Sequence, residues 1–211
     1  MHTYETLFRD LEEHGWAVAD RFMPGDLAKR LYQSAQQSWL QGLFHDAHVG
    51  SQQAELRDTS IRGDTILWLD DDNPLPACQD FFAWASDLQE RLNRHFYLGL
   101  KRGEFHFARY DTGYGYKMHI DQHQGQPHRQ ITLILYLNPQ WGDQDGGELC
   151  MVCLADHTKE IQRIRPRHDR LVLFRSGLIP HAVLPCARPR WSLTGWFRTD
   201  NHDAIHPGRA F

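Results

Sequence analysis

The chain has 211 residues, 41% of them hydrophobic and 12% aromatic, which is ample to close a core of its own as one globular unit. A formal net charge of −4 and an isoelectric point near 6.4 leave no basic footprint, which argues against a nucleic-acid partner bound through phosphate neutralisation. No apolar run approaches a bilayer span, and the opening "MHTYETLFRDLEEHG" lacks the basic start and apolar centre of an export signal, so a soluble, cytoplasmic protein with no membrane partner is expected.

In chain order, apolar residues at three-to-four spacing predict helices over Tyr4 to His14, Leu27 to Leu40 and roughly Pro76 to Phe96; Leu27, Leu31, Ala35 and Trp39 show the pattern. Between the first two, "WAVADRF" alternates as a short strand does. Residues 45–60 form a polar stretch without periodicity, and "RGDTILWLD" (62–70) predicts another strand. From Glu104 onward the texture changes to short alternating runs set off by Gly, Pro, Asn and Asp: "EFHFARY", "YKMHID", "QITLILYLN", "GELCMVC", "EIQRIRP", "RLVLFRS", "HAVLP" and "RWSLTGWF". Eight such strands suggest a barrel or a double-sheet jelly roll. The expected layout is one domain over 1–211, with a helical part over 1–100, a strand-rich core over about 102–199 and a loose tail over 200–211 that holds His202 and His206.

Four cysteines are too few and too scattered for a disulfide framework. Cys150 and Cys153 form a C-x-x-C, but on a strand positions three apart face opposite ways, so they are read as structural. The run "IQRIRPRHDR" reads as a solvated, arginine-rich hairpin or a basic rim.

The stretch "YKMHIDQHQGQPHR" (116–129) concentrates histidines ahead of an apolar strand. His119 and Asp121 are two apart in a strand-like context and leave the same face, so they could chelate one ion. With 14 histidines in the chain an isolated H-x-D means little, and a third ligand is needed. A non-haem Fe(II) site of the two-histidine, one-carboxylate type takes its second imidazole from another strand. His181, which opens "HAVLP" and shares a face with Val183, is the best candidate.

Nine residues on, Arg190 shares one face of its strand with Ser192, Thr194 and Trp196, while Trp191, Leu193 and Phe197 share the other. A guanidinium on an inner face suits the distal carboxylate of a 2-oxoacid. In "QITLILYLN", Ile131, Leu133, Leu135 and Leu137 form an apolar stripe, and Thr132, Ile134 and Tyr136 a mixed one better suited to lining a ligand pocket.

With these residues in place, the chain resembles the Fe(II)- and 2-oxoglutarate-dependent prolyl 4-hydroxylases, most closely the branch of the hypoxia-sensing prolyl hydroxylases and their bacterial relatives. The similarity runs from "GWAVADRFMP" at residue 15 to about residue 198. It is carried by "RGDTILWLD", "YKMHID", "LYLNPQW" with "DGGEL", and "PHAVLP" with "RWSLTGWF". The resemblance implies a mainly β fold with flanking α elements, a double-stranded β-helix (jelly-roll) core packed by N-terminal helices. It implies His119, Asp121 and His181 as iron ligands, with 2-oxoglutarate and dioxygen as co-substrates. Arg190 and Tyr136 would hold the distal carboxylate of 2-oxoglutarate, in a pocket lined by Tyr110, Ile134, Leu149, Val183, Thr194 and Trp196.

Arg62, Asp64 and Trp68 match a substrate-closing loop and strand, and Arg129 a basic substrate contact; an Asp64–Arg129 ion pair that changes on substrate binding is expected. His106 faces the pocket as a packed or supporting residue, and His123 and His128 belong to the following loop. The implied reaction is hydroxylation of a prolyl residue in a protein substrate, a translation factor being one candidate, with release of succinate and CO2 and with ascorbate as a reductant the family commonly uses. Asp121 favours hydroxylation, since halogenating relatives carry a small residue there. The alternatives are a 2-oxoglutarate oxygenase acting on a free amino acid or other small molecule, a nucleic-acid demethylase if Arg198 faced the pocket, and a non-catalytic jelly-roll module that binds metal or ligand.

Overall fold

The computed structural model describes residues 3–47, 61–70, 73–122 and 127–201; His123, His202 and His206, and most of the expected loop over 45–60, lie outside them. Three helices, α1 (Tyr4–His14), α2 (Leu27–Leu40) and α3 (Pro76–Phe96), fall where the spacing predicts. The start of α1 is closed by a Thr3–Thr6 capping box, and its end by Gly15, whose φ of 78° is the left-handed conformation that lets its N–H return to Leu11. Pro76 opens α3, where its missing N–H costs nothing.

Eleven strands are present among the described residues: β1 (Trp16–Asp20), β2 (His45–Asp46), β3 (Asp64–Leu69), β4 (Arg102–Tyr110), β5 (Tyr116–His119), β6 (Arg129–Tyr136), β7 (Leu149–Cys153), β8 (Asp156–Ile164), β9 (Arg170–Arg175), β10 (His181–Val183) and β11 (Arg190–Arg198). Each of the eight runs after residue 100 is one of them. Two boundaries differ from the sequence expectation. β1 stops at Asp20 because Arg21 turns to a φ of 54°, its N–H taken by the Asp169 carbonyl, and a strand cannot continue through that angle. His45 and Asp46, expected in a loop, pair with Ile66 and Thr65.

The strands form two antiparallel sheets, ordered β1-β9-β6-β11-β4-β3-β2 and β5-β10-β7-β8. The helices cover one face of the larger sheet: Leu11, Leu31, Phe81 and Leu88 pack with Phe105, Phe107, Leu133, Leu193 and Phe197. The other face meets the smaller sheet through a second apolar cluster that includes Tyr110, Ile134, Tyr136, Met151, Phe174 and Val183. Two sheets face to face with helices on one outer side make the mainly β jelly roll expected. Cys150 and Cys153 lie on β7 as free thiols, as do Cys78 and Cys186 elsewhere. The arginine-rich run is exposed and locally paired, Arg163 to Glu160 and Arg165 to Asp143. No helix among the described residues is long and apolar enough to cross a membrane.

Candidate metal centre and co-substrate pocket

The register of the smaller sheet builds the centre. β5 and β10 run antiparallel with His119 directly opposite His181, and Asp121 follows two residues after His119. One ligand atom from each of the three residues falls within 4.8 Å of the others. His119 Nε2 lies 3.5 Å from Asp121 Oδ1, and His181 Nε2 lies 3.8 Å from Asp121 Oδ2.

Both imidazoles are fixed in the same sense. The Nδ1 of His119 contacts the Lys117 carbonyl at 2.8 Å and that of His181 the Ile179 carbonyl at 3.0 Å. A carbonyl only accepts, so Nδ1 carries the proton in each ring and Nε2 is left with its lone pair toward the centre. Tyr116 stacks on the His119 ring at 3.7 Å, and Phe174 meets His181 edge-on at 4.8 Å. Burial pushes the His181 pKa down to about 4, so the ring is neutral near pH 7. Burial also pushes the Asp121 carboxyl up, but His181, His119 and the Thr132 hydroxyl outweigh it and hold the group well below the ordinary carboxylate range. Two imidazoles that turn Nε2 to the centre and an ionised carboxylate, clustered at one point, are the donor set of a facial-triad Fe(II) site, and the residues fit that ion.

The centre opens into a cavity of about 440 Å³ between the sheets. Its wall follows the alternation of the larger sheet, with Arg190, Ser192, Thr194 and Trp196 from β11, His106, Ala108 and Tyr110 from β4, and Thr132 and Ile134 from β6. Leu149 and Val183 close it from the smaller sheet. Arg190 is 2% exposed, lies between the rings of Tyr110 and Tyr136 at 5.2 and 5.0 Å, and donates Nε to the Gly147 carbonyl at 2.8 Å. No carboxylate among the described residues pairs with it. Tyr136 is wholly buried beside Arg190, outside the cavity lining, and its hydroxyl has no hydrogen-bond partner among the described residues. A buried guanidinium and a spare phenol at one end, with three metal-type donors further along, suit a dicarboxylate chelated at its other end.

Arg62, Asp64, Trp68 and Arg129 also line the cavity, but the expected Asp64–Arg129 pair is absent. Asp64 accepts from Arg62 at 2.7 and 3.1 Å; burial raises its pKa, yet the guanidinium prevails and keeps it low. Arg129 donates instead to Glu104 at 3.0 Å and lies over Trp196 at 3.6 Å. Strand order and register are the reason: β11 and β4 stand between β6 and β3, about 14 Å of lateral separation, and Asp64 is level with Tyr110 at one end of β4 while Arg129, opposite Arg198, is level with Arg102 at the other. Arg198 is likewise held by Glu104 and Asp200, outside the cavity lining. His106 is packed against Trp68 at 4.7 Å, and burial pushes its pKa down to about 3.

Sequence reasoning missed Glu104, His45 and Asp46. Glu104 is in phase with His106 and Ala108, and an acidic residue at an inward strand position was the signal that could have found it. For His45 and Asp46, a two-residue strand carries no period to read.

A double-sheet jelly roll with a two-histidine, one-carboxylate centre beside a buried arginine defines a class, the non-haem iron oxygenases that use a 2-oxoacid. The sequence profile of the 2OG-Fe(II) oxygenase superfamily matches residues 105–198. A Pseudomonas putida prolyl-4-hydroxylase structure superposes with a TM-score of 0.82 at 36% identity, covering 92% of this chain and 97% of that one. A Trichoplax adhaerens prolyl hydroxylase, in complex with a hypoxia inducible factor peptide, does so with a TM-score of 0.82 at 27% identity, over 92% and 88%. Egl nine homolog 1 of Rattus norvegicus is 28% identical over 197 residues, 89% of this chain and 56% of that protein; the chain spans about half the length of the curated relatives it matches. The chain belongs to the 2OG-Fe(II) oxygenase superfamily, in its prolyl hydroxylase branch.

Proposed function

We propose that the protein is an Fe(II)- and 2-oxoglutarate-dependent dioxygenase that hydroxylates a prolyl residue of a protein substrate, releasing succinate and CO2. One observation carries the reading: the His119, Asp121 and His181 ligand set and the buried, carboxylate-free Arg190 share one cavity. When bound, Fe(II) and 2-oxoglutarate would supply the electrons that activate dioxygen, the co-substrate leaving as succinate and CO2. His119, Asp121 and His181 would hold the ion, at the end of the cavity that also receives the co-substrate. Arg190 and Tyr136 orient the distal carboxylate, and the wall of Tyr110, Ile134, Leu149, Val183, Thr194 and Trp196 excludes water around it. Arg62, Asp64, Trp68 and Arg129 meet the substrate chain at the same cavity, and no side chain has to move a proton.

The prolyl target is supported by the relatives named as prolyl hydroxylases, the Trichoplax protein having been captured with a peptide. A translation factor is a candidate substrate, and ascorbate a candidate reductant that keeps the iron ferrous. The four free cysteines suit a reducing compartment and support a cytoplasmic location.

The test is anaerobic titration of Fe(II) and 2-oxoglutarate, watching for the visible metal-to-ligand charge-transfer band. Wild type is expected to develop it and His181→Ala to lose it; turnover of proline-containing proteins against free proline then separates the protein substrate from the small-molecule alternative. No band in wild type, with zinc or no metal retained, sinks the oxygenase reading.

A further inference from the structure

Thr132 and Ser176 are both 0% exposed, and neither has an assigned role. Thr132 interrupts the apolar run of β6 on its cavity side, opposite Trp196 of β11 and Phe174 of β9. Its Oγ1 lies 2.8 Å from Asp121 Oδ2 and 2.9 Å from Ser176 Oγ. Ionised carboxylates only accept, so the single Thr132 proton goes to Asp121. Ser176 must then donate to Thr132, and the direction of the chain, from Ser176 through Thr132 to Asp121, is fixed. The Ser176 backbone N–H is itself anchored on the Gln130 carbonyl at 3.0 Å.

The relay acts on one oxygen only. Oδ2 accepts the hydrogen bond and lies 3.8 Å from His181 Nε2, while Oδ1 lies 3.5 Å from His119 Nε2. An ionised oxygen keeps a lone pair beside an accepted hydrogen bond, so the Thr132 bond leaves Oδ2 able to meet an ion while fixing the rotation of the carboxylate; turning it away would give up that bond inside a buried site, where a lost hydrogen bond is expensive.

We infer that Thr132, braced by Ser176, is a positioning residue that fixes the rotation of the Asp121 carboxylate so that it would meet the ion together with His119 and His181. The inference rests on the metal reading proposed above. Partners of this kind, one step removed from the ion, typically govern metal affinity by about tenfold to a hundredfold.

The experiment titrates Co(II) alone into the metal-free protein and follows its visible absorption, which reports coordination number without turnover. Thr132→Val, equal in shape but without the hydroxyl, is expected to weaken Co(II) binding by about tenfold to a hundredfold and to alter the absorption per bound cobalt. Thr132→Ser restores both, a rescue that lost packing alone would not give, and Ser176→Ala falls between wild type and valine. Wild type that binds Co(II) while Thr132→Val matches it in affinity and spectrum overturns the relay alone. Wild type that takes up no Co(II), like His181→Ala, overturns the metal reading and the inference with it. Should Thr132→Val fail to fold, Ser176→Ala decides: wild-type affinity and spectrum in that variant overturn the relay.

Discussion

Toward the helices, β4, β6 and β11 present Phe105, Phe107, Ile131, Leu133, Leu135, Leu193 and Phe197; toward the cavity, the same strands present His106, Tyr110, Thr132, Tyr136, Arg190 and Ser192. Both sets are buried, and they alternate residue by residue. The helix side is apolar but for Arg109, which lies over Trp39 and Trp191 at 4.0 and 5.3 Å with Nε and Nη1 buried without a hydrogen-bond partner among the described residues; it is close-packed against α1, α2 and α3, so its apolar residues contribute volume and stability. On the cavity side, His106 Nδ1, Tyr136 Oη and Trp196 Nε1 are buried without a hydrogen-bond partner among the described residues. Leaving such groups unpaired is costly in a folded chain. Period-two geometry therefore lets one strand serve stability with its odd residues and chemistry with its even ones, and the two functions should separate under mutation.

The sharpest break comes on the helix side. Phe107→Ala should cost about 3–5 kcal/mol in a denaturant melt while the folded fraction keeps its affinity for 2-oxoglutarate; lost affinity without lost stability would merge the two faces. Next, on the cavity side, Arg190→Met should weaken 2-oxoglutarate by about a hundredfold through loss of a charge-assisted pair, measured by calorimetry. Its thermal midpoint should hold or rise, because an apolar chain of similar reach replaces a buried guanidinium that has no carboxylate beside it.

The smallest effect is a pH slope. His106 titrates near 3 in the folded chain against an ordinary 6.5, so between those values the unfolded chain binds a proton that the native one does not. Stability is complete above about pH 6.5 and falls as pH drops toward 3, by about 2 kcal/mol from pH 7 to pH 5 for this residue. His181, near 4, adds to the same slope in the metal-free protein. His106→Phe should flatten the acid limb in denaturant melts at the two pH values; an unchanged slope would mean that the imidazole is not held neutral.

How far the sequence carries follows from the same alternation. Which face a side chain takes is local information, so Arg190, Ser192, Thr194 and Trp196 could be grouped in "RWSLTGWF" before any fold was known. Which strands lie side by side is not local. The Asp64–Arg129 pair failed because the order β6-β11-β4-β3 inserts two strands between them and the register sets them at opposite ends of β4, and the contacts Arg129 actually makes, with Glu104 and Trp196, cross from one strand to another. The Thr132–Asp121 bond was half legible: Thr132 sat on the mixed stripe, but nothing in the chain says which carboxylate it would meet.

His119 and His181 stand opposite one another in the β5–β10 ladder, yet about sixty residues of chain, carrying β6 to β9, lie between them. An ion shared by the two is thus a clasp on a long loop, restricting the unfolded chain far more than the folded one, as a cross-link does. It is also a proofreader of assembly. Sliding either strand by one residue turns its imidazole to the opposite face of the sheet, so only the correctly registered sheet can close the clasp.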